Sequence, residues 1–199
     1  MRRDVDPRLA RVAIDGILSL CVIAMDARVA RARVVALGGG LHALAALTCA
    51  RDASVLRAFC GACVAAFVAS CALSTDAMYA WRGTAAACAH AAGATVWVAR
   101  GRGGGARGDA GVARARRIVL EGDVEDGWEV VERWECVGVA LGAWLGACVI
   151  PLDWGRAWQR WPTSVARGVA GGKLSGMGLG LALARFANAS RVGAKKRRR

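Results

Sequence analysis

CVGVALGAWLGACVIPLDWGRAWQRWPTSVARGVAGGKLSGMGLGLALA, residues 136–184, holds two long apolar runs joined by a short turn crowded with tryptophan. The first run, Cys136–Leu152, contains no Asp, Glu, Lys or Arg. A run of that length can cross a hydrocarbon layer as a helix, with every backbone hydrogen bond satisfied internally. Glycine recurs at every fourth position, as Gly138, Gly142 and Gly146 and then as Gly168, Gly172, Gly176 and Gly180. Residues four apart share a helix face, and without side chains two backbones come close enough for dispersion to drive association in lipid. The pattern predicts a helix-packing surface, used either between these two helices or to dock a partner's transmembrane helix.

Pro151 ends the first run, and Pro162 suits the first turn of a helix over 162–184. Between them, Trp154, Trp158 and Trp161 predict a turn anchored at headgroup level, where tryptophan rings favour the membrane–water boundary. Asp153 and Arg156 are close enough to pair locally, or to meet the phosphate and amine groups of a lipid. Lys173 lies deep in the second run and is expected to face another helix, a cavity or a partner.

Working outward, the apolar pattern repeats. The 199 residues are 56% hydrophobic yet carry a net charge of +13, with a mean hydropathy of +0.35. One soluble core cannot hold both extremes, whereas lipid-buried spans with basic ends can. Residues 34–50, 58–75 and 83–99 are free of Asp, Glu, Lys and Arg, and 9–25 qualifies as a span despite Arg11 and Asp15. The expected fold is an all-α, polytopic transmembrane bundle of about six spans (9–25, 34–50, 58–75, 83–99, 136–152 and 162–184), forming one membrane domain over 1–199. No cleavable signal peptide is expected, because Asp15 interrupts the first apolar stretch.

Basic residues set the orientation. Arg2, Arg3 and Arg8, the arginine-rich start of the 100–133 segment, and the tail Lys195-Lys196-Arg197-Arg198-Arg199 fall on one side of a six-span bundle. The positive-inside rule makes that side cytosolic, with both termini there; Arg28, Arg31 and Arg33 pull mildly the other way. Residues 100–133 read as a polar cytosolic loop, basic up to Arg117 and acidic from Glu121 to Glu132, with disorder expected over Gly101–Gly111. Residues 185–199 read as a basic cytosolic tail. Its charge, like the Gly-Arg-Gly-Gly-Gly run of the loop, fits an anionic leaflet. Nucleic-acid binding is disfavoured, because the apolar runs leave no separate soluble unit.

The inventory for catalysis is thin. Cys60-Gly61-Ala62-Cys63 has redox spacing without the βαβ setting that would support it. His42 and His90 stand in separate spans, and no Cys/His cluster has zinc spacing. Gly172-Lys173 is followed by Leu174, so no phosphate loop is formed. No metal, cofactor or catalytic residue is expected.

The run GAWLGA, then IPLDW, Arg156, Trp158-Gln159 and Trp161-Pro162, resembles the PIG-F family of GPI-anchor biosynthesis proteins over about residues 136–185. Val149, Gly155 and Ala157 depart from its usual prolines and acidic residue, which loosens the turn. The resemblance implies a multi-pass endoplasmic reticulum subunit without catalytic activity of its own. Such subunits bind and stabilise the ethanolamine-phosphate transferases, PIG-O-like and PIG-G-like, that modify the mannoses of the GPI precursor. It implies that Asp153, Trp154, Arg156, Trp158, Gln159, Trp161 and Pro162 meet partner or lipid. The alternative is a direct phospholipid-handling or catalytic component of the same transfer. A small transporter, suggested by Lys173 and His90 at membrane depth, is weakened by the lack of an inverted repeat.

Overall fold

The computed structural model describes residues 7–24, 53–73, 81–100, 110–152, 161 and 163–197. All regular structure among them is helical. In chain order these are α1 (Pro7–Ala24), α2 (Ala53–Leu73), α3 (Trp81–Arg100), α4 (Ala110–Arg116), α5 (Gly127–Cys148) and α6 (Thr163–Arg197). A π-helical turn, Arg117–Glu121, extends α4, and a 3-10 turn, Ile150–Leu152, follows α5.

Helices α5 and α6 form the central hairpin, the most extensive packing in the described molecule. Helix α1 lies against α6, α2 pairs with α3, and α3 joins that pair to the hairpin. The small core between them gathers Ala94, Val139, Val165 and Val169, with Trp161 and Ile150 packed at its edge. Gly127–Leu152 is long and apolar enough to cross a membrane, and Arg57–Cys71 is a shorter apolar helix. The expected span at 34–50 lies outside the described residues.

Two expectations need correction. The 100–133 segment is not a loop throughout: from Ala110 onward it is α4, its π turn and the first turns of α5, which begins at Gly127. The separation of charge that marked the segment as polar also lets it fold on itself, because its arginines meet its carboxylates. The tail is not a separate element either, since α6 runs on through it to Arg197. No proline or left-handed glycine stops the helix after Ala184.

The start of α5 is fixed locally. Asp126, extended at φ −133° and ψ 168°, caps the helix by accepting from the Glu129 backbone N–H, at 2.8 Å. The Glu129 carboxylate reaches back to accept from the Glu125 N–H at 2.7 Å. This reciprocal pair resembles a capping box shifted by one residue, and it satisfies one N–H of the first turn and one just ahead of the cap. Gly122, at φ +75°, turns the chain between the π turn and α5, a backbone conformation that costs residues with a Cβ.

Candidate functional site

The hairpin is built on glycine. An added Cβ at Gly142 would lie 3.0 Å from the Gly172 Cα, and one at Gly146 would lie 2.8 Å from the Val165 Cα. Gly138 and Gly172 face each other's backbone carbonyls, as do Gly142 and Gly168. Gly176 meets the backbone of Trp134 and Glu135, and Gly180 that of Val131. The predicted glycine face is therefore filled from inside the chain, α5 against α6. Gly171 and Gly178, on other sides of α6, have no atom within 4 Å of an added Cβ.

Charge enters this small-residue core at one place. Lys173, 0% exposed, stands 3.5 Å from the Asp15 carboxylate of α1 and 3.5 Å from the Glu135 carboxylate of α5. Asp15 is 4% exposed and Glu135 1%. Lys173 thus faces two other helices. Burying an ammonium and carboxylates without partners is costly, so their meeting fixes how α1, α5 and α6 rotate against one another. Glu135 escapes notice in the sequence because it stands just before the uncharged run that begins at Cys136.

Trp161 is the described residue of the tryptophan-rich turn. Its indole N–H donates to the Thr84 hydroxyl at 2.6 Å, tying the entry of α6 to the first turn of α3. Asp153, Trp154, Arg156, Trp158, Gln159 and Pro162 lie outside the described residues. His90 is buried in α3. No group of three or more His, Cys, Asp or Glu side chains that could hold a metal occurs among the described residues.

A second polar cluster closes the far end of α5. Arg114 donates to Glu129 at 2.9 Å and to Glu132 at 3.1 Å, and also to the Val98 carbonyl near the end of α3. Arg117 donates to Glu129 at 2.9 Å and lies near Asp123 and Glu125. Desolvation opposes the Arg117 charge, but the Glu129 hydrogen bond and the three carboxylates outweigh it and raise its pKa above the ordinary arginine value. With Ala110, Ala113, Glu125 and Asp126, these arginines and Glu129 line a cavity of about 690 Å³. Most of the donors that line it already serve the protein's own carboxylates, so the cluster reads as a clamp joining α3, α4 and α5.

The glycine hairpin, Trp161 and the clamp carboxylates Glu129 and Glu132 share one continuous stretch of chain. Residues 119–181 match the GPI biosynthesis protein family Pig-F. The resemblance carried by the tryptophan-rich turn therefore extends from the π turn through α5 into α6. Over 44 residues the chain is 59% identical to the glycosylphosphatidylinositol anchor biosynthesis protein 11 of Neurospora crassa, covering 22% of this chain and 16% of that one. Over 61 residues it is 39% identical to the human GPI ethanolamine phosphate transferase, stabilizing subunit, covering 31% of this chain and 28% of that one. A 31-residue stretch is 55% identical to a PIGF/3-ketodihydrosphingosine reductase fusion protein of Schizosaccharomyces pombe, covering 16% of this chain and 6% of that one. The matched stretches thus span less than a third of these relatives' length. No solved structure matches the chain.

Proposed function

We propose that this chain is a noncatalytic, multi-pass subunit of the endoplasmic reticulum membrane that binds and stabilises ethanolamine-phosphate transferases of GPI-anchor assembly. The observation that carries the proposal is the 39% identity over 61 residues to a protein named as the stabilizing subunit of such a transferase. The partners on this reading are PIG-O-like and PIG-G-like transferases together with membrane lipid. Asp153, Trp154, Arg156, Trp158, Gln159, Trp161 and Pro162 are the proposed contact turn.

The distribution of polarity supports a membrane setting. Asp15, Thr84, His90, Glu135 and Lys173 are buried, while Ile14, Ile17, Val64, Leu141, Leu145 and Leu183 face outward. A protein folded in water does the reverse, and apolar surface this extended marks contact with lipid or partner. On this reading six spans cross the bilayer with both termini cytosolic, and the Trp-rich turn lies in the lumen.

Because the glycine face of α6 is filled by α5, the proposed partner contact falls to the turn and to the outward faces. The test is to express Trp158→Ala and Asp153→Asn variants in cells lacking the native subunit and to measure transferase abundance by immunoblot. A fall in abundance with the variant chain still in the membrane supports the stabilising role. Normal abundance with lost transfer activity would instead assign the turn to direct handling of phospholipid.

A further inference from the structure

We propose that Lys173 is the counter-charge that seats the N-terminal helix, so that α1 keeps its place in the bundle only once α6 has brought Lys173 beside Asp15. The inference rests on the multi-pass reading above. Taken alone, α1 is a poor span, because it carries Arg11 and, at its middle, Asp15. A carboxylate at the centre of a lone helix is among the most unfavourable groups in hydrocarbon.

In the structure α1 is two-sided. Ile14, Ile17 and Leu20 face outward, whereas Asp15 and Ser19, one turn apart, are buried. Its buried side lies on α6, where a Cβ added at Gly16 would stand 3.9 Å from the Leu174 side chain, next to Lys173 in sequence. Lys173 is held from the other side by Glu135 of α5, so the hairpin presents an ammonium already fixed in position. The polar stripe of α1 fits that ammonium, and the apolar stripe is left for lipid.

The consequence is a dependence between two helices far apart in sequence. Helix α1 is made before α6, yet its stabilising partner arrives only with α6. Replacing Lys173 by Met should release α1, while Lys173→Arg should retain it. Neutralising all three members, in Asp15→Asn/Glu135→Gln/Lys173→Met, should restore seating because no charge then needs a counterion.

The test uses the full chain in microsomes, with its eight native cysteines replaced, Gly16→Cys and Leu174→Cys introduced, and a protease site placed between residues 101 and 109. After mild oxidation and cleavage, chains in which α1 sits on α6 stay joined on a non-reducing gel. The joined fraction should fall at least fivefold in Lys173→Met and recover in the neutral triple variant. An unchanged fraction in Lys173→Met overturns the proposal. So does a triple variant that stays unjoined, and so does a pair that fails to join with Lys173 intact. Alkaline carbonate extraction separates the two readings. Release of the chain from the microsomes refutes the multi-pass assignment, whereas retention with an unchanged joined fraction refutes only the role of Lys173.

Discussion

Gly142→Ala adds one methyl group at the tightest part of the hairpin, and its cost follows from what that methyl group meets. Its Cβ would stand 3.0 Å from the Gly172 Cα and closer still to the Gly168 carbonyl oxygen. Ordinary contact needs roughly 3.4–4 Å, and these neighbours are backbone, with no rotamer to give way. Only separation of the helices relieves the overlap, and a radial gap of about 0.5–1 Å forfeits a quarter to a half of each dispersion contact along the seam. Overpacking of this kind costs about 1–3 kcal/mol. At about 2–4 °C per kcal/mol for a chain of this size, the thermal midpoint should fall by about 2–12 °C. The assay is the midpoint for loss of the monodisperse peak of detergent-solubilised protein, run beside Gly171→Ala and Gly178→Ala. Those controls have open space for the new methyl group, and the better helix propensity of alanine, up to about 1 kcal/mol, should leave their midpoints equal or higher. If Gly142→Ala proves as benign as Gly171→Ala, the backbone-to-backbone packing of α5 on α6 is wrong.

The remaining predictions concern the two ends of the hairpin. Trp161→Phe keeps an aromatic ring but removes the N–H donated to buried Thr84, and should destabilise by about 1–3 kcal/mol in the same thermal assay. Gly122→Ala forces a Cβ onto a left-handed residue and to 2.7 Å from the Arg133 guanidinium, for a loss of about 1–2 kcal/mol from the backbone alone, read as a lower midpoint. Arg114→Ala leaves the Glu129 and Glu132 carboxylates short of a partner. Breaking such a pair costs about 3–5 kcal/mol when fully buried and less here, where Arg114 is partly exposed. Hydrogen exchange over residues 110–132 should speed up, and unchanged protection would show that the clamp does not hold α4 to α5.

Much of the helical layout is legible in composition, because runs free of charged residues and about a span long admit few other structures. The boundaries are less so. Helix α5 begins nine residues ahead of its uncharged run since Asp126 caps it and since the carboxylates that follow are neutralised by α4, a tertiary pairing that hydropathy does not register. Glycine spacing marks a close-approach face, but the choice between α5 and an outside helix is made by register, as when Gly142 meets Gly168 and Gly138 meets Gly172. Lys173 announces itself as an expensive residue in need of a partner. Its partners lie 38 and 158 residues away in sequence, at Glu135 and Asp15, where no local pattern points.

The carboxylates of α5 show how the segment similar to the Pig-F family depends on the rest of the chain. Glu129, Glu132 and Glu135 stand three residues apart along one side of the helix, and all three are buried. They serve two places: Glu129 meets Arg114 and Arg117 and Glu132 shares Arg114, while Glu135 meets Lys173. The glycines that pack α5 on α6 all lie within residues 119–181, so the seam is self-contained. The charges are not, because Arg114, Arg117 and the Asp15 partner of Lys173 lie outside that segment. Residues 119–181 alone would keep the glycine seam yet lack the guanidinium partners of Glu129 and Glu132. The hairpin supplies the close-packed framework, α4 and its π turn bring the arginines that Glu129 and Glu132 meet, and α1 brings Asp15 to the Lys173–Glu135 pair.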